Sequence, residues 1–214
     1  MAGDIVDITL LSLYVSSTST LVATAVAVPV GIALGLREIG SQRLLKNILF
    51  TLYGLPPVLA GLLVFLLVSR GGPLGPLGLL FTPLGMVIAQ VVVVTPIILG
   101  ITMSVVSTVE SRLKETAFVL GADAHQLRVT VMREATAGIL TAVMVGFGRA
   151  ISEVGAVFIV GRHIEGQTQV LTTTIITDIE QAAYGHAIAV GIILLVIAGL
   201  VYSLLYRLQE RTLQ

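Results

Sequence analysis

An all-helical integral membrane protein with five spans is the fold class that three features of this sequence predict. Of its 214 residues, 56% are hydrophobic and 11% charged, with a mean hydropathy of +1.02. Soluble domains carry about 25% charged residues, so composition alone excludes a soluble core. Five segments each supply the roughly 20 mostly apolar residues that a helix needs to cross a bilayer. The loops between them share their basic residues unequally. The length suits a single domain, residues 1–214.

The first span is expected from about Leu10 to Leu36, longer than necessary, with the polar run "SSTST" (Ser16–Thr20) placed in the interface. The N-terminus lacks the basic region and cleavage site of a signal peptide, so this segment is expected to stay in the mature protein. The second span runs from about Ile48 to Ser69 and contains Pro56-Pro57; the third, about Pro83 to Val106, contains Pro96. Prolines inside spans are tolerated where neighbouring helices or hydroxyls satisfy the freed carbonyls. The fourth runs from about Ala137 to Val160 and the fifth from about His186 to Tyr206.

Lys and Arg gather on the cytoplasmic side of membrane proteins. Nine basic residues follow the first, third and fifth spans: Arg37, Arg43, Lys46, Arg112, Lys114, Arg128, Arg133, Arg207 and Arg211. Arg70 and Arg162 stand alone on the other side, and Asp4 and Asp7 precede the first span. The bias predicts an outside N-terminus and a cytoplasmic C-terminus. The outer loop "RGGPLGPLGLLFT" is expected to form a tight, packed turn.

Several chemistries are excluded. No Cys is present, which removes disulfides and thiolate sites. The charge balance of 12 basic and 12 acidic residues argues against nucleic acid as a partner. The chain holds no G-x-x-x-x-G-K-[ST] phosphate loop, G-x-S-x-G elbow or H-E-x-x-H helix. His163 and His186 have no carboxylate at ligand spacing, so no metal site is expected.

The cytoplasmic segment 107–136 reads "STVESRLKETAFVLGADAHQLRVTVMREAT". Phe118, Val119, Leu127 and Val131 are spaced for one helix face, with Lys114, Glu115, Asp123, Gln126 and Arg133 between them. Gly121 suits the positive φ of a helix C-terminus, and Asp123 suits an N-cap. The expected form is helix, sharp turn, short helix, serving either as a solvated connector or as a docking element.

Two intramembrane features remain. Arg149 and Glu153 are four residues apart, which places both on one face of a helix. A lone charge at the bilayer centre costs roughly 2.5–3.5 kcal/mol on insertion scales. The pair can serve as packing ions, as a source of positive potential for a passing anion, or in proton handling. Gly146, Gly148, Ala150, Ser152, Gly155 and Ala156 around it permit close helix approach. Thr172, Thr173 and Thr174 of "LTTTIITDIE" either satisfy their own helix or offer weak donors to an ion.

A family resemblance bears on these choices. Glu115-Thr116-Ala117, then Gly121-Ala122, then Val131 ten positions after the glycine, resemble the "EAA" loop of ABC-transporter permeases. The resemblance implies that Glu115, Ala117, Gly121, Ala122, Asp123, Leu127 and Val131 belong to a coupling helix that docks on an ATP-hydrolysing subunit. Arg133-Glu134 stand where that family usually has Leu-Pro, which leaves open where the coupling helix ends. "GRAISEVGAVFIVG", "IEGQTQVLTTTI" and "AIAVGIILLVIAG" resemble the permease subunits of tungstate importers, close to those for molybdate and sulfate.

The resemblance implies the type I importer core: a homodimer in a prokaryotic cell membrane, bound to two ABC ATPase subunits and fed by an extracytoplasmic oxyanion-binding protein. It also implies that ATP and Mg bind to the partner ATPase, with no cofactor in this chain. Alternating access would carry a tetrahedral oxyanion, tungstate first and molybdate or sulfate next. A membrane-embedded enzyme using Arg149 and Glu153, and a passive channel, are the competing expectations.

Overall fold

The computed structural model describes residues 2–37 and 42–212, excepting the side chains of residues 2–4, 42–46, 50, 208 and 211–212. The side chains of Arg43, Lys46 and Arg211 therefore lie outside the described residues. Eight helices are described: α1 (Ala2–Gly35), α2 (Gln42–Tyr53), α3 (Pro57–Val68), α4 (Pro83–Val119), α5 (Ala124–Ile151), α6 (Gly155–Gly161), α7 (Leu171–Glu180) and α8 (Tyr184–Thr212). No strand occurs among them. Four are long and apolar enough to cross a membrane, and the bent pair α2–α3 makes a fifth if counted as one span.

The fold centres on α1 and α4, which lie side by side and run in the same direction. Ser19 meets Gln90, Gly31 meets Thr102, and Gly35 meets Val106. The cause is legible in α1: Ser19, Ala23, Ala27, Gly31 and Gly35 put a small residue at every fourth position. Without a hydrophobic force between helices in lipid, association depends on such close packing. A Cβ on Gly31 would sit 2.9 Å from the Leu99 carbonyl, so the backbones approach only because it is glycine. Ala23 and Ala27 are buried with Val94, Ile98, Ala142 and Ala150, which brings α5 onto the same seam.

The structure corrects four expectations. The first span begins well before Leu10, and "SSTST" is helical rather than interfacial: Ser16, Ser19 and Thr20 are buried against the protein. The second span is not one helix. It bends by 92° between Tyr53 and Pro57, because Pro56 and Pro57 cannot donate the amide hydrogens a continuing helix needs. The segment 107–136 is not a long connector. α4 runs on to Val119, and the expected short helix is the opening of the 28-residue α5. The fourth span breaks at Ser152–Val154, so Arg149 lies in α5 and Glu153 in the gap before α6.

The loop Arg70–Thr82 is a tight turn, as expected. Leu74 N–H returns to the Leu67 carbonyl, and Gly75–Leu77 forms one 3-10 turn. Its end is anchored on α6, with Phe81 N–H donating to the Val160 carbonyl and the Arg162 guanidinium stacked over the Phe81 ring at 5.5 Å. α6 therefore runs beside the first turns of α4, and α5 with α6 together form a broken span. Apolar side chains of α1, α3 and α8, among them Leu21, Leu62, Ile188, Leu195 and Leu200, face outward where a soluble protein would place polar residues.

Candidate functional site

Two regions carry the side chains of interest, one at each end of the α4–α5 hairpin.

The first is the hairpin tip. α4 extends roughly 20 Å past Val106 at 1.5 Å per residue. α5 returns against it through a buried cluster of Val106, Val131 and Ala135, with Leu113, Leu127 and Ile139 packed on it. The turn between them is short and fixed by local backbone and side-chain contacts. Gly121 sits at φ +73°, a left-handed conformation that costs other residues about 1–2 kcal/mol. Asp123 accepts from the Gln126 N–H at 2.8 Å, and Gln126 Oε1 accepts from the Asp123 N–H at 3.0 Å. This reciprocal capping box satisfies two amide hydrogens that a helix start leaves free.

The apolar residues of this segment divide into two groups. Leu127 and Val131 face α4 inside the hairpin. Phe118, Val119 and Leu120, consecutive at the tip, are 84%, 83% and 79% exposed. Glu115, Gly121 and Asp123 are exposed beside them, and Ala117 and Ala122 half-buried. Arg133 and Glu134 lie within α5 on an exposed face, where Glu134 pairs with Arg112 of α4 at 3.8 Å. The helix simply continues through the position where Leu-Pro would interrupt it.

The second region is the break in the fourth span. Arg149 Nη1 contacts Glu153 Oε2 at 2.6 Å. Glu153 is 1% exposed, and its other oxygen accepts from the Ala156 N–H at 2.9 Å, so the carboxylate also caps the start of α6. Arg149 is 30% exposed. Thr172 donates to the Glu153 carbonyl at 2.9 Å. Thr174 donates to the Val170 carbonyl, while Thr173 both donates to that carbonyl and accepts from the Val170 N–H. All three threonines are buried and engaged within the protein. Ser152 is exposed, but its hydroxyl donates to the Gly148 carbonyl at 2.8 Å.

Gln90 was not singled out by the sequence reasoning, and it organises this region. It is 3% exposed, accepts from Ser19 at 2.7 Å, and donates to the Ala150 carbonyl at 2.9 Å. It thereby ties α1, α4 and the last turn of α5 together. The available signal was its isolation: it is the one amide in the apolar run of α4, and buried amides in membranes act as interhelical glue. A cavity of about 10 Å³, the least that holds one water, lies between Ser12, Gln90, Glu153 and Thr172. Ser12 also accepts from the Leu171 N–H at 2.8 Å and so positions α7.

His163 and His186 lie near α7. His186 Nδ1 pairs with Asp178 at 2.7 Å across the α7–α8 turn, a partner that sequence spacing did not suggest. His163 Nδ1 lies 3.1 Å from Thr173. Burial pushes the His163 pKa below its ordinary value, against the pull of Asp178 and Glu165.

Comparison with known proteins gives these two regions a context. The family described as "Binding-protein-dependent transport system inner membrane component" matches residues 27–214. A tungstate uptake system permease protein of Peptoclostridium acidaminophilum is 42% identical over 94% of this chain and 88% of its own length. A "probable anion ABC transporter permease protein" of Haloferax volcanii is 37% identical over 97% and 92%. A molybdenum transport system permease protein of Haemophilus influenzae is 27% identical over 75% and 74%.

Proposed function

The chain belongs to the family of binding-protein-dependent transport system inner membrane components, and from that premise we propose that it is the permease subunit of an ATP-driven oxyanion importer. The observation that carries the mechanism is the hairpin tip, a cluster of three large exposed apolar side chains on a helical arm beyond the membrane-length part of α4. Exposed apolar clusters of this kind are docking surfaces. Phe118, Val119 and Leu120, with Glu115, Gly121 and Asp123 beside them, contact the ATP-hydrolysing partner. Leu127 and Val131 act from inside, holding the two arms together.

α4 is continuous from the tip to Gln90, so a displacement of the tip is carried along one helix to the break at Ser152–Val154. The cycle is alternating access: closure of two partner ATPases, which bind ATP and Mg, rocks two copies of this chain between inward and outward states. The N-terminus lies outside and the hairpin and C-terminus in the cytoplasm of a prokaryotic cell. An extracytoplasmic binding protein delivers the substrate.

Tungstate is the substrate we assign, by likeness to the tungstate permease, with molybdate and sulfate next. The Arg149–Glu153 pair fits this reading better than an enzymatic one. Glu153 is almost fully enclosed, with one oxygen on the Ala156 N–H and the other ion-paired with Arg149, which leaves a substrate no direct approach to the carboxylate. The test is ATP-dependent uptake of labelled oxyanions by proteoliposomes containing the whole complex. Tungstate uptake that unlabelled molybdate or sulfate fails to suppress supports the assignment. Preferential sulfate uptake overturns the substrate while keeping the class, and flux without ATP overturns the class.

A further inference from the structure

The Arg149–Glu153 pair is asymmetric in a way that mutual neutralisation does not explain. Glu153 is enclosed, with one oxygen on Arg149 and the other on the Ala156 N–H. Arg149 makes a single polar contact among the described residues, through Nη1, and its side chain is 30% exposed. A guanidinium has five N–H donors in a planar fork. Most of those on Arg149 have no partner among the described residues, and the side chain is partly open to the surface.

Depth makes this unusual. The carbonyl of Ala150, the neighbouring residue, is held by Gln90, which lies about 10 Å along α4 from Pro83 at 1.5 Å per residue. The apolar run of α4 continues beyond it to Val106. Arg149 thus sits well inside the hydrocarbon thickness of about 30 Å. Charged groups at such depth face a water-lined cavity or protein rather than lipid. The exposed side of Arg149, next to exposed Ser152, therefore marks a polar surface within the membrane.

We propose that Arg149 is an anion-binding residue of the translocation pathway, taking two oxygens of a tetrahedral dianion on its free N–H fork, with Glu153 as its fixed counter-ion. This rests on the importer reading above and deepens it by naming the residue that meets the substrate. A planar fork matches two oxygens of one anion in a way a lysine ammonium does not. Glu153 has a definite task in the arrangement. A bare guanidinium in low dielectric would retain a dianion, whereas conduction requires a site weak enough to release it. The carboxylate lowers the local potential to that level and, through the Ala156 N–H, keeps itself in place when the anion arrives.

The arrangement makes an unusual prediction for Glu153→Gln. The Gln carbonyl still accepts from Ala156, so the cap is retained, but the counter-charge is gone. The site should bind more tightly and release more slowly. KM for tungstate uptake should fall by on the order of a hundredfold, the scale of one unit charge at about 6 Å in an effective dielectric near 20, and maximal uptake should fall with it. In Arg149→Gln with Glu153→Gln the pair is neutral; the glutamate's length is kept and the arginine's is shortened, with a polar amide in place of the fork. Here KM should rise at least tenfold with assembly intact.

The experiment is radiolabelled tungstate uptake by proteoliposomes of the full complex carrying wild type, the single variant or the double variant. Complex recovery by size-exclusion chromatography is measured alongside. Opposite movements of KM in the two variants support the proposal. An unchanged KM in both, or recovery of neither complex, overturns it in favour of a packing pair. Wild type without ATP-driven uptake overturns the importer reading itself.

Discussion

Replacing Gln90 with Ala removes the side chain that joins three helices at the fourth-span break, and the structure sets the size of the effect. Two hydrogen bonds disappear, from Ser19 to Oε1 and from Nε2 to the Ala150 carbonyl. Interhelical hydrogen bonds in membranes average about 0.6 kcal/mol and reach about 1.7. The groups left behind are partly cared for, because Ser19 can also donate to the Ser16 carbonyl and Ala150 also accepts from the Glu153 N–H. That places the hydrogen-bond loss near 1–2 kcal/mol.

The truncation resembles Met→Ala in length, worth about 2–5 kcal/mol in a dry core. Here the new space joins an existing polar cavity, and an entering water returns part of that sum. The expected total is about 2–3 kcal/mol. The assay is reversible unfolding in mixed micelles followed by circular dichroism, run on Gln90→Ala, Ser19→Ala and the double variant. The cycle should give a coupling of about 0.6–1.7 kcal/mol. A Gln90→Ala loss under about 0.5 kcal/mol, or a coupling indistinguishable from zero, would refute the claim that Gln90 ties the break to α1.

Other outcomes follow from the same contacts. Gly31→Ala forces a methyl onto the Leu99 carbonyl and the Thr102 side chain, so the α1–α4 seam should lose about 1–3 kcal/mol in the same unfolding assay, whereas Ala33→Gly should not behave this way. Replacing Phe118, Val119 and Leu120 with Ser should leave the unfolding midpoint unchanged but abolish co-purification with the ATPase partner. Val131→Asp, placing a charge inside the hairpin, should lower the midpoint itself. Gly121→Val should cost at least about 1–2 kcal/mol for the positive φ and slow ATP-driven uptake; normal stability would show that the turn can relax. For His163 the sign runs toward acid lability. Its folded pKa lies below the ordinary value, so the unfolded chain takes up the proton first. Stability should therefore decline as pH falls below about 6.5, and His163→Asn should remove that part of the decline when midpoints are compared from pH 8 to pH 5.

Much of the fold was legible because hydropathy is additive along a segment. Apolar runs near Leu10–Leu36, Pro83–Val106 and His186–Tyr206 fall within α1, α4 and α8. Gly121 and Asp123 were legible for a different reason: a positive φ and an N-cap are local requirements that particular residue types meet. The stripe Ser19, Ala23, Ala27, Gly31 and Gly35 was equally present in the sequence, but its meaning needed a partner helix. Thr172, Thr173 and Thr174 looked like possible donors to an ion, and each hydroxyl is taken within the protein.

The sequence by itself determined the class: a helical membrane chain, a hairpin turn at Gly121, and two opposite charges within reach of each other. Those properties depend on composition, on single-residue backbone preferences and on spacing within one helix. Tertiary structure alone decided that the fourth span breaks between the two charges. It decided too that Glu153 is enclosed while Arg149 keeps a free face, and that Gln90 closes on Ala150. Each of these depends on side chains from helices far apart in sequence meeting at one depth. Which donor finds which acceptor there is set by helix packing, and a count of residues along the chain does not contain it.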